Sequence, residues 1–191
     1  MLYDTFMNII VVLQGREIMV YNWQNDENLS GKSDNDYVLE IIESITMELL
    51  ADPRDPRNLF LRGNGYLDIG RFGEAIEDYT KIIDSGKADP PVFNNRGISY
   101  RGLAEAQLAI DDLTTAISLD VNYRDAYNNR GMAYSDLFMY DDALKDFDKA
   151  IALDDKYWYA LNNRGMLLWK IGEKDAAVKD YEKVRVLLSN Q

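Results

Sequence analysis

The chain has 191 residues, of which 47% are hydrophobic and 28% charged, the balance of an ordinary soluble globular protein. It contains no cysteine and no histidine, which excludes disulfides, cysteine nucleophiles, serine–histidine triads and the usual zinc ligands. We therefore expect no metal site and no cofactor. The net charge of −12 argues against nucleic acid as a partner, because nucleic-acid binders neutralise phosphates with lysine and arginine.

Residues 1–35 are expected to form an N-terminal arm and linker. Its apolar stretch NIIVVLQGREIMVYNW fits a β-hairpin that turns at Gln14–Gly15, and it fits equally well an apolar helix followed by a loop. No run reaches the roughly 18 apolar residues of a membrane helix. Asp4 stands where a signal peptide would carry positive charge, so a cytoplasmic protein with no membrane contact is expected.

The segment 36–51 predicts a single helix before the repeats, with Ser33 or Asp34 as its N-cap. In the repeat register described next, Ile41 and Ile45 fall at core positions of a second helix. We interpret residues 36–55 as a capping helix, a degenerate half-repeat that covers the start of the array.

An Arg–Gly pair returns on a strict period, and its glycine stands at Gly63, Gly97, Gly131 and Gly165. With that glycine as position 8, the chain divides into the units 56–89, 90–123, 124–157 and 158–191. Position 20 is always alanine, and position 24 holds a large apolar residue: Tyr79, Leu113, Phe147 and Tyr181. Apolar spacings of three and four predict two helices per unit, roughly at positions 2–14 and 18–31.

The glycine at position 8 needs a physical reason, because glycine inside a helix costs about 1 kcal/mol relative to alanine. Without a side chain it allows the partner helix to approach closely. The alanine at position 20 is the small residue expected on the facing helix, and the residue at position 24 would fill the space beside it.

This pattern over 56–191 resembles the tetratricopeptide repeat family. The resemblance implies an all-α fold, an α-solenoid of four helix–turn–helix repeats in a right-handed superhelix whose first helices line a concave groove. It also implies a non-catalytic scaffold that binds an extended peptide or partner segment in that groove, and no enzyme activity. The proline usual at position 32 is replaced by Lys87, Val121, Asp155 and Ser189, which affects the junctions more than the fold.

Two charged residues recur with the glycine. Position 7 is always arginine and position 23 always aspartate, which gives the pairs Arg62 and Asp78, Arg96 and Asp112, Arg130 and Asp146, Arg164 and Asp180. Because the two positions can be neighbours in an antiparallel hairpin, we predict a structural ion pair within each unit or between adjacent units. A row of anion-binding arginines is the alternative, but the aspartates would neutralise it.

Asparagines fill positions 5 and 6 of units two to four: Asn94, Asn95, Asn128, Asn129, Asn162 and Asn163. By the resemblance, positions 2, 5, 6, 9, 12 and 13 face the groove, which adds Asn64, Arg101 and Trp169. Amides both donate and accept hydrogen bonds, so they could hold the backbone of an extended peptide. They could instead satisfy neighbouring helix ends. Trp169 is an expected anchor, or it simply covers the C-terminal end.

The partner is predicted to be a protein or peptide that is basic or neutral. Family members that hold acidic chaperone tails combine asparagines with basic residues at set positions. There this chain keeps the asparagines Asn64 and Asn95, but it has Phe60, Asp125 and Asn129 in place of the three basic residues. Chaperone-tail binding is therefore not expected.

A different function is also compatible with the sequence. Apolar residues such as Val184, Leu187 and Leu188 close the last unit without a further helix, and exposed apolar patches often mark contacts. The alternative hypothesis is a structural, self-assembling module that oligomerises through the N-terminal arm or this uncapped end.

Overall fold

The computed structural model describes residues 10–14, 17–21 and 33–189. Strands β1 (Ile10–Gln14) and β2 (Glu17–Tyr21) pair antiparallel, with Ile10 opposite Tyr21. These paired strands agree with the hairpin alternative and not with the helix, while the predicted turn includes Gly15, which lies outside the described residues. The remainder of the predicted arm and linker lies outside the described residues.

From residue 33 to residue 189 the chain is an all-α repeat fold. A single helix comes first and four helical hairpins follow. In chain order the helices are α1 (Asp34–Leu49), α2 (Pro56–Asp68), α3 (Phe72–Asp84), α4 (Pro90–Gly102), α5 (Ala106–Leu119), α6 (Arg124–Asp136), α7 (Tyr140–Leu153), α8 (Trp158–Lys170) and α9 (Lys174–Ser189). In these ranges no helix has the length and apolar character that crossing a membrane requires.

The first helices begin and end one residue earlier than the apolar spacing predicts, and the second helices begin one residue earlier. First helices occupy positions 1–13, and second helices begin at position 17. The reason is the turn at position 15, where the backbone is left-handed in every unit. Its φ is +75° at Gly70, +62° at Ala104, +62° at Phe138 and +93° at Gly172. A residue in that conformation stops the first helix.

The glycine at position 8 lies against the residue at position 24 of the same unit. A Cβ added to Gly63 would lie 2.8 Å from the ring of Tyr79, and one added to Gly131 would lie 2.7 Å from the ring of Phe147. Alanine at position 20 is fully buried in all four units: Ala75, Ala109, Ala143 and Ala177. The close helix approach predicted from this glycine is confirmed, with the position 24 side chain as its main partner.

Helix α1 covers the start of the array. The Asp36 carboxylate accepts hydrogen bonds from the backbone N–H and the hydroxyl of Ser33, both at 2.8 Å, which fixes the first turn. Ile45 and Leu49 join the core cluster that includes Leu59 and Tyr79. The helix thus gives the first hairpin the apolar cover that every later hairpin receives from the hairpin before it.

Candidate functional site

The arginine at position 7 and the aspartate at position 23 meet in every unit. Arg62 donates from Nε and Nη2 to the two carboxylate oxygens of Asp78, at 2.7 and 2.8 Å. The same bidentate geometry joins Arg96 to Asp112, Arg130 to Asp146 and Arg164 to Asp180. Each pair therefore ties the first helix of a unit to its own second helix.

The third guanidinium nitrogen reaches the preceding unit. Nη1 of Arg62, Arg96 and Arg130 donates to the hydroxyls of Thr46, Thr80 and Thr114 at 3.0 to 3.1 Å. Arg164 instead donates to Asp148 at 2.5 Å. Each arginine thus holds three helices together, and we name this arrangement the arginine staple. Sequence reasoning missed its third contact, although the acceptor recurs at position 25.

The staple is mostly shielded from solvent. The exposed fraction of the aspartate side chains is between 2% and 9%, and that of the arginines between 14% and 25%. The hydrogen bond to its aspartate raises the pKa of each arginine above its usual value. Because each arginine is neutralised by its aspartate, this row of arginines has a structural role and is not an anion-binding site.

The asparagines form a continuous chain of hydrogen bonds across the first helices. Asn163 donates to Asn128 Oδ1 at 2.9 Å, and Asn128 donates to Asn129 Oδ1 at 3.3 Å. Asn129 donates to Asn94 Oδ1 at 2.9 Å. Asn94 donates in turn to Asn95 at 2.9 Å. We call this chain the asparagine ladder.

The ladder ends in the first hairpin. Asn95 donates to Asn64 Oδ1 at 3.0 Å, and the same oxygen accepts the hydroxyl of Tyr79 at 2.7 Å. Tyr79 is fully buried, and burial raises the pKa of its hydroxyl. The ladder therefore links α8, α6, α4 and α2 and connects them to the core of the first hairpin.

Burial separates the asparagines into two groups. Asn94 and Asn128 are each 4% exposed, so these position 5 amides lie between helices and do not line an open surface. The expectation that they face a ligand is wrong for these two, because neighbouring amides take their donors and acceptors. Asn64, Asn95, Asn129 and Asn163 keep partial exposure on the first-helix side, as does Asn162.

Two other predicted groove residues have distinct surroundings. Arg101 donates to Asp136 at 2.6 Å, which forms an ion pair from α4 to α6 with both side chains at least one third exposed. Trp169 is 52% exposed, and the ammonium of Lys174 lies 5.4 Å from its ring centroid. Met166, which the sequence analysis did not single out, is 58% exposed one turn before Trp169.

Comparison with models of known families shows the family to which these hairpins belong. Models of the tetratricopeptide repeat match residues 125–157 and 159–184. The chain is a tetratricopeptide repeat protein. The first of these matches begins in α6 and the second ends in α9, so they cover the two C-terminal hairpins of the array.

Solved tetratricopeptide repeat structures share the fold. The structure of MamA is 27% identical, covers 83% of this chain and 96% of its own, and has a TM-score of 0.70. The first repeat domain of Spaghetti (RPAP3), bound to the HSP90 peptide SRMEEVD, is 29% identical, covers 63% of this chain and 95% of its own, and has a TM-score of 0.58.

A third structure is similar in fold alone. YrrB, described as a tetratricopeptide repeat protein with an unusual peptide-binding site, is 21% identical over 80% of this chain and 78% of its own, at a TM-score of 0.63. No curated protein sequence gives a significant match.

Proposed function

We propose that this tetratricopeptide repeat protein is a non-catalytic scaffold that binds an extended peptide or partner segment along its first-helix surface. The observation that carries the proposal is the row of partly exposed amides, Asn95, Asn129 and Asn163, one from each of α4, α6 and α8. Each donates one amide hydrogen to the ladder and has a second one to offer. Amides at regular intervals suit the backbone of an extended segment.

The Spaghetti domain supports this function, since it binds a peptide and is 29% identical to this chain. Its ligand is acidic, whereas a basic or neutral partner suits a chain with a net charge of −12. Arg101 on the first-helix surface is already paired with Asp136, so it is less available to an acidic ligand.

Selection from a dodecapeptide library on the full chain tests the proposal. We expect recovered peptides to bind Asn129→Ala about fivefold or more weakly, because one hydrogen bond contributes about 1 kcal/mol. Asn122→Ala, at an exposed position between α5 and α6, is the matched control and should bind as the wild type does. Recovery of no peptide, or equal binding by Asn129→Ala, contradicts groove binding.

Self-assembly is the second candidate, and the exposed side of α9 favours it. Val178 is 44% exposed, whereas Ile110, at the equivalent position of the second hairpin, is 6% exposed. Val186 and Leu188 on the same helix are 52% and 47% exposed. A mass that rises with concentration, and falls back on deletion of residues 1–32 or on Val178→Asp, would support assembly. A constant monomer mass would exclude it.

A further inference from the structure

In the part of the chain that the structure describes, the asparagine ladder has an acceptor without a donor at its C-terminal end. In the second and third hairpins, the position 5 oxygen accepts the amide of the following hairpin: Asn94 accepts from Asn129, and Asn128 accepts from Asn163, both at 2.9 Å. Asn162 is the equivalent residue of the fourth hairpin. Within residues 33–189 no group donates to its Oδ1.

Asn162 also differs from Asn94 and Asn128 in the groups to which its amide donates and in the exposure of its side chain. Asn94 and Asn128 donate to the asparagine that follows them, and Asn128 also donates to the sulfur of Met132 at 3.7 Å. Asn162 keeps the sulfur contact, to Met166 at 3.5 Å, without the bond to the following asparagine. Asn162 keeps partial exposure, where the other two are 4% exposed. The Oδ1 of Asn94 and of Asn128 is therefore filled by the following hairpin, whereas among the described residues the Oδ1 of Asn162 is not filled and its side chain is partly exposed.

Two exposed apolar side chains stand beside this acceptor. Met166 and Trp169 follow Asn162 by one and two turns of α8, so the three share one helix face. They are 58% and 52% exposed. At the same two positions the earlier hairpins hold Asn64 and Leu67, Ile98 and Arg101, and Met132 and Ser135, so of the four hairpins only the fourth has an apolar residue at both.

We propose that Asn162, Met166 and Trp169 form the anchor surface of the peptide groove. An uncharged segment of a partner protein donates a backbone or carboxamide N–H to Asn162 Oδ1 and packs an aliphatic side chain on Met166 and Trp169. The inference rests on the proposed function and names the chemistry of its ligand.

Charge around the anchor surface selects the uncharged ligand. None of the three residues is ionisable, so a charged ligand group buried against them would find no counter-charge on the anchor surface itself. The two nearby lysines lie against aromatic rings: Lys174 is 5.4 Å from the Trp169 centroid, and Lys170 is 5.0 Å from that of Tyr140. Methionine is flexible enough to adapt to an aliphatic group, and tryptophan is enriched among the interface residues that contribute most to binding.

The spacing of the anchor surface sets the spacing of the ligand. Asn162 and Trp169 are seven residues apart on one helix, which is about 10 Å along its axis. An extended chain covers that distance in about three residues. The ligand should therefore carry its aliphatic side chain within about three residues of the donated N–H.

Three substitutions test the anchor surface, with peptides selected from a dodecapeptide library on the full chain as the probe. Asn162→Leu should weaken binding about five- to tenfold, because the acceptor is lost. Asn162→Asp should bind within about threefold of the wild type, since the acceptor oxygen remains. Trp169→Ala should weaken binding about tenfold or more. Met47→Ala, at a 67% exposed methionine on α1, is the matched control and should change nothing.

The outcomes separate this inference from the proposed function. Peptides that lose affinity for Asn129→Ala but bind Asn162→Leu and Trp169→Ala normally would overturn the anchor surface and keep the groove. Failure to select any peptide would overturn both. A wild-type mass that doubles with concentration, and that Trp169→Ala returns to the monomer, would assign the surface to a second copy and also overturn the peptide anchor. Equal loss with Asn162→Leu and Asn162→Asp would show that the acceptor has no part in binding.

Discussion

Arg130 donates two parallel hydrogen bonds to the carboxylate of Asp146, 2.7 and 2.9 Å long, and both side chains are largely buried. Bidentate guanidinium–carboxylate geometry of this kind is among the strongest hydrogen bonding that proteins use. In this array it closes each hairpin on itself. The third bond, to Thr114, fastens that hairpin to the preceding one.

Breaking one staple should destabilise the protein strongly. We expect Arg130→Met or Asp146→Asn to lower the free energy of unfolding by about 3–5 kcal/mol, because each leaves the partner buried without its counter-charge. The double variant should cost less than the sum of the two. Urea unfolding of all four proteins measures the coupling, and additive effects would contradict the pairing.

The exposed pair Arg101–Asp136 serves as a control for the staple. Its side chains are 33% and 45% exposed, so water already solvates both charges. Asp136→Asn should change the free energy of unfolding by less than about 1 kcal/mol. A loss as large as that of Asp146→Asn would show that burial does not set the strength of these pairs.

A methyl group at Gly131 should be costly. Its Cβ would lie 2.7 Å from the Phe147 ring and 3.1 Å from the carbonyl oxygen of Ala143, so the two helices would have to separate. We expect Gly131→Ala to lower the free energy of unfolding by about 1–3 kcal/mol. Gly73→Ala has no atom within 4 Å of its Cβ and should instead gain up to about 1 kcal/mol. Chemical denaturation of both variants measures these changes, and a loss of stability with Gly73→Ala as large as that with Gly131→Ala would contradict the packing argument.

Substitutions in the asparagine ladder should separate its structural members from its open end. Asn128→Ala removes a buried amide that bonds Asn129 and Asn163, and should cost about 1–3 kcal/mol of stability. Asn162→Ala leaves the ladder whole and should cost less than about 0.5 kcal/mol. Thermal melts followed by circular dichroism measure both, and equal losses would show that the ladder does not set stability.

Ionisation of Tyr123 should make the protein sensitive to alkali. Burial raises the pKa of its hydroxyl to about 12, against about 10 in an unfolded chain. Because the unfolded state then loses its proton first, stability is intact below pH of about 10 and falls by about 1.4 kcal/mol per pH unit until the folded pKa is reached. Tyr123→Phe should remove this contribution. Parallel curves of stability against pH for the two proteins would refute the effect.

The left-handed turn at position 15 offers a stabilising change. Ala104 has φ of +62°, where a Cβ costs about 1–2 kcal/mol. Ala104→Gly should therefore raise the free energy of unfolding by about 0.5–1 kcal/mol, after the greater freedom of glycine in the unfolded chain is counted. Gly70→Ala, at the same position of the first hairpin, should lower it. Urea denaturation checks the two signs.

The features that the sequence predicted are contacts inside one unit, because the residues that make them recur every 34 residues. Gly131 against Phe147 and Arg130 against Asp146 are both 16 residues apart. The glycine, the arginine and the aspartate recur in every unit, and the position of Phe147 always holds a large side chain. The turn was placed one residue late because only Gly70 and Gly172 mark it. Ala104 and Phe138 adopt the same conformation without a residue type that signals it.

Contacts between units were harder to predict. The step from Asn129 to Asn94 spans 35 residues, one more than the period, so two different positions of the repeat bond each other. That offset depends on how closely two first helices approach and on the rotamer of each amide, which no apolar pattern encodes. The asparagines were therefore recognised as a row, but not as partners of one another.

The staple has a consequence for how such an array can grow. Thr46, Thr80 and Thr114 offer the same hydroxyl to the next arginine, so the first three junctions are chemically interchangeable. Duplication of the 90–123 segment within the chain would present every arginine with both of its partners. The junction between the last two hairpins uses Asp148 instead, which distinguishes it from the others. Duplication of an interior hairpin can therefore lengthen the array without loss of any arginine contact, and the last junction remains distinct from the others.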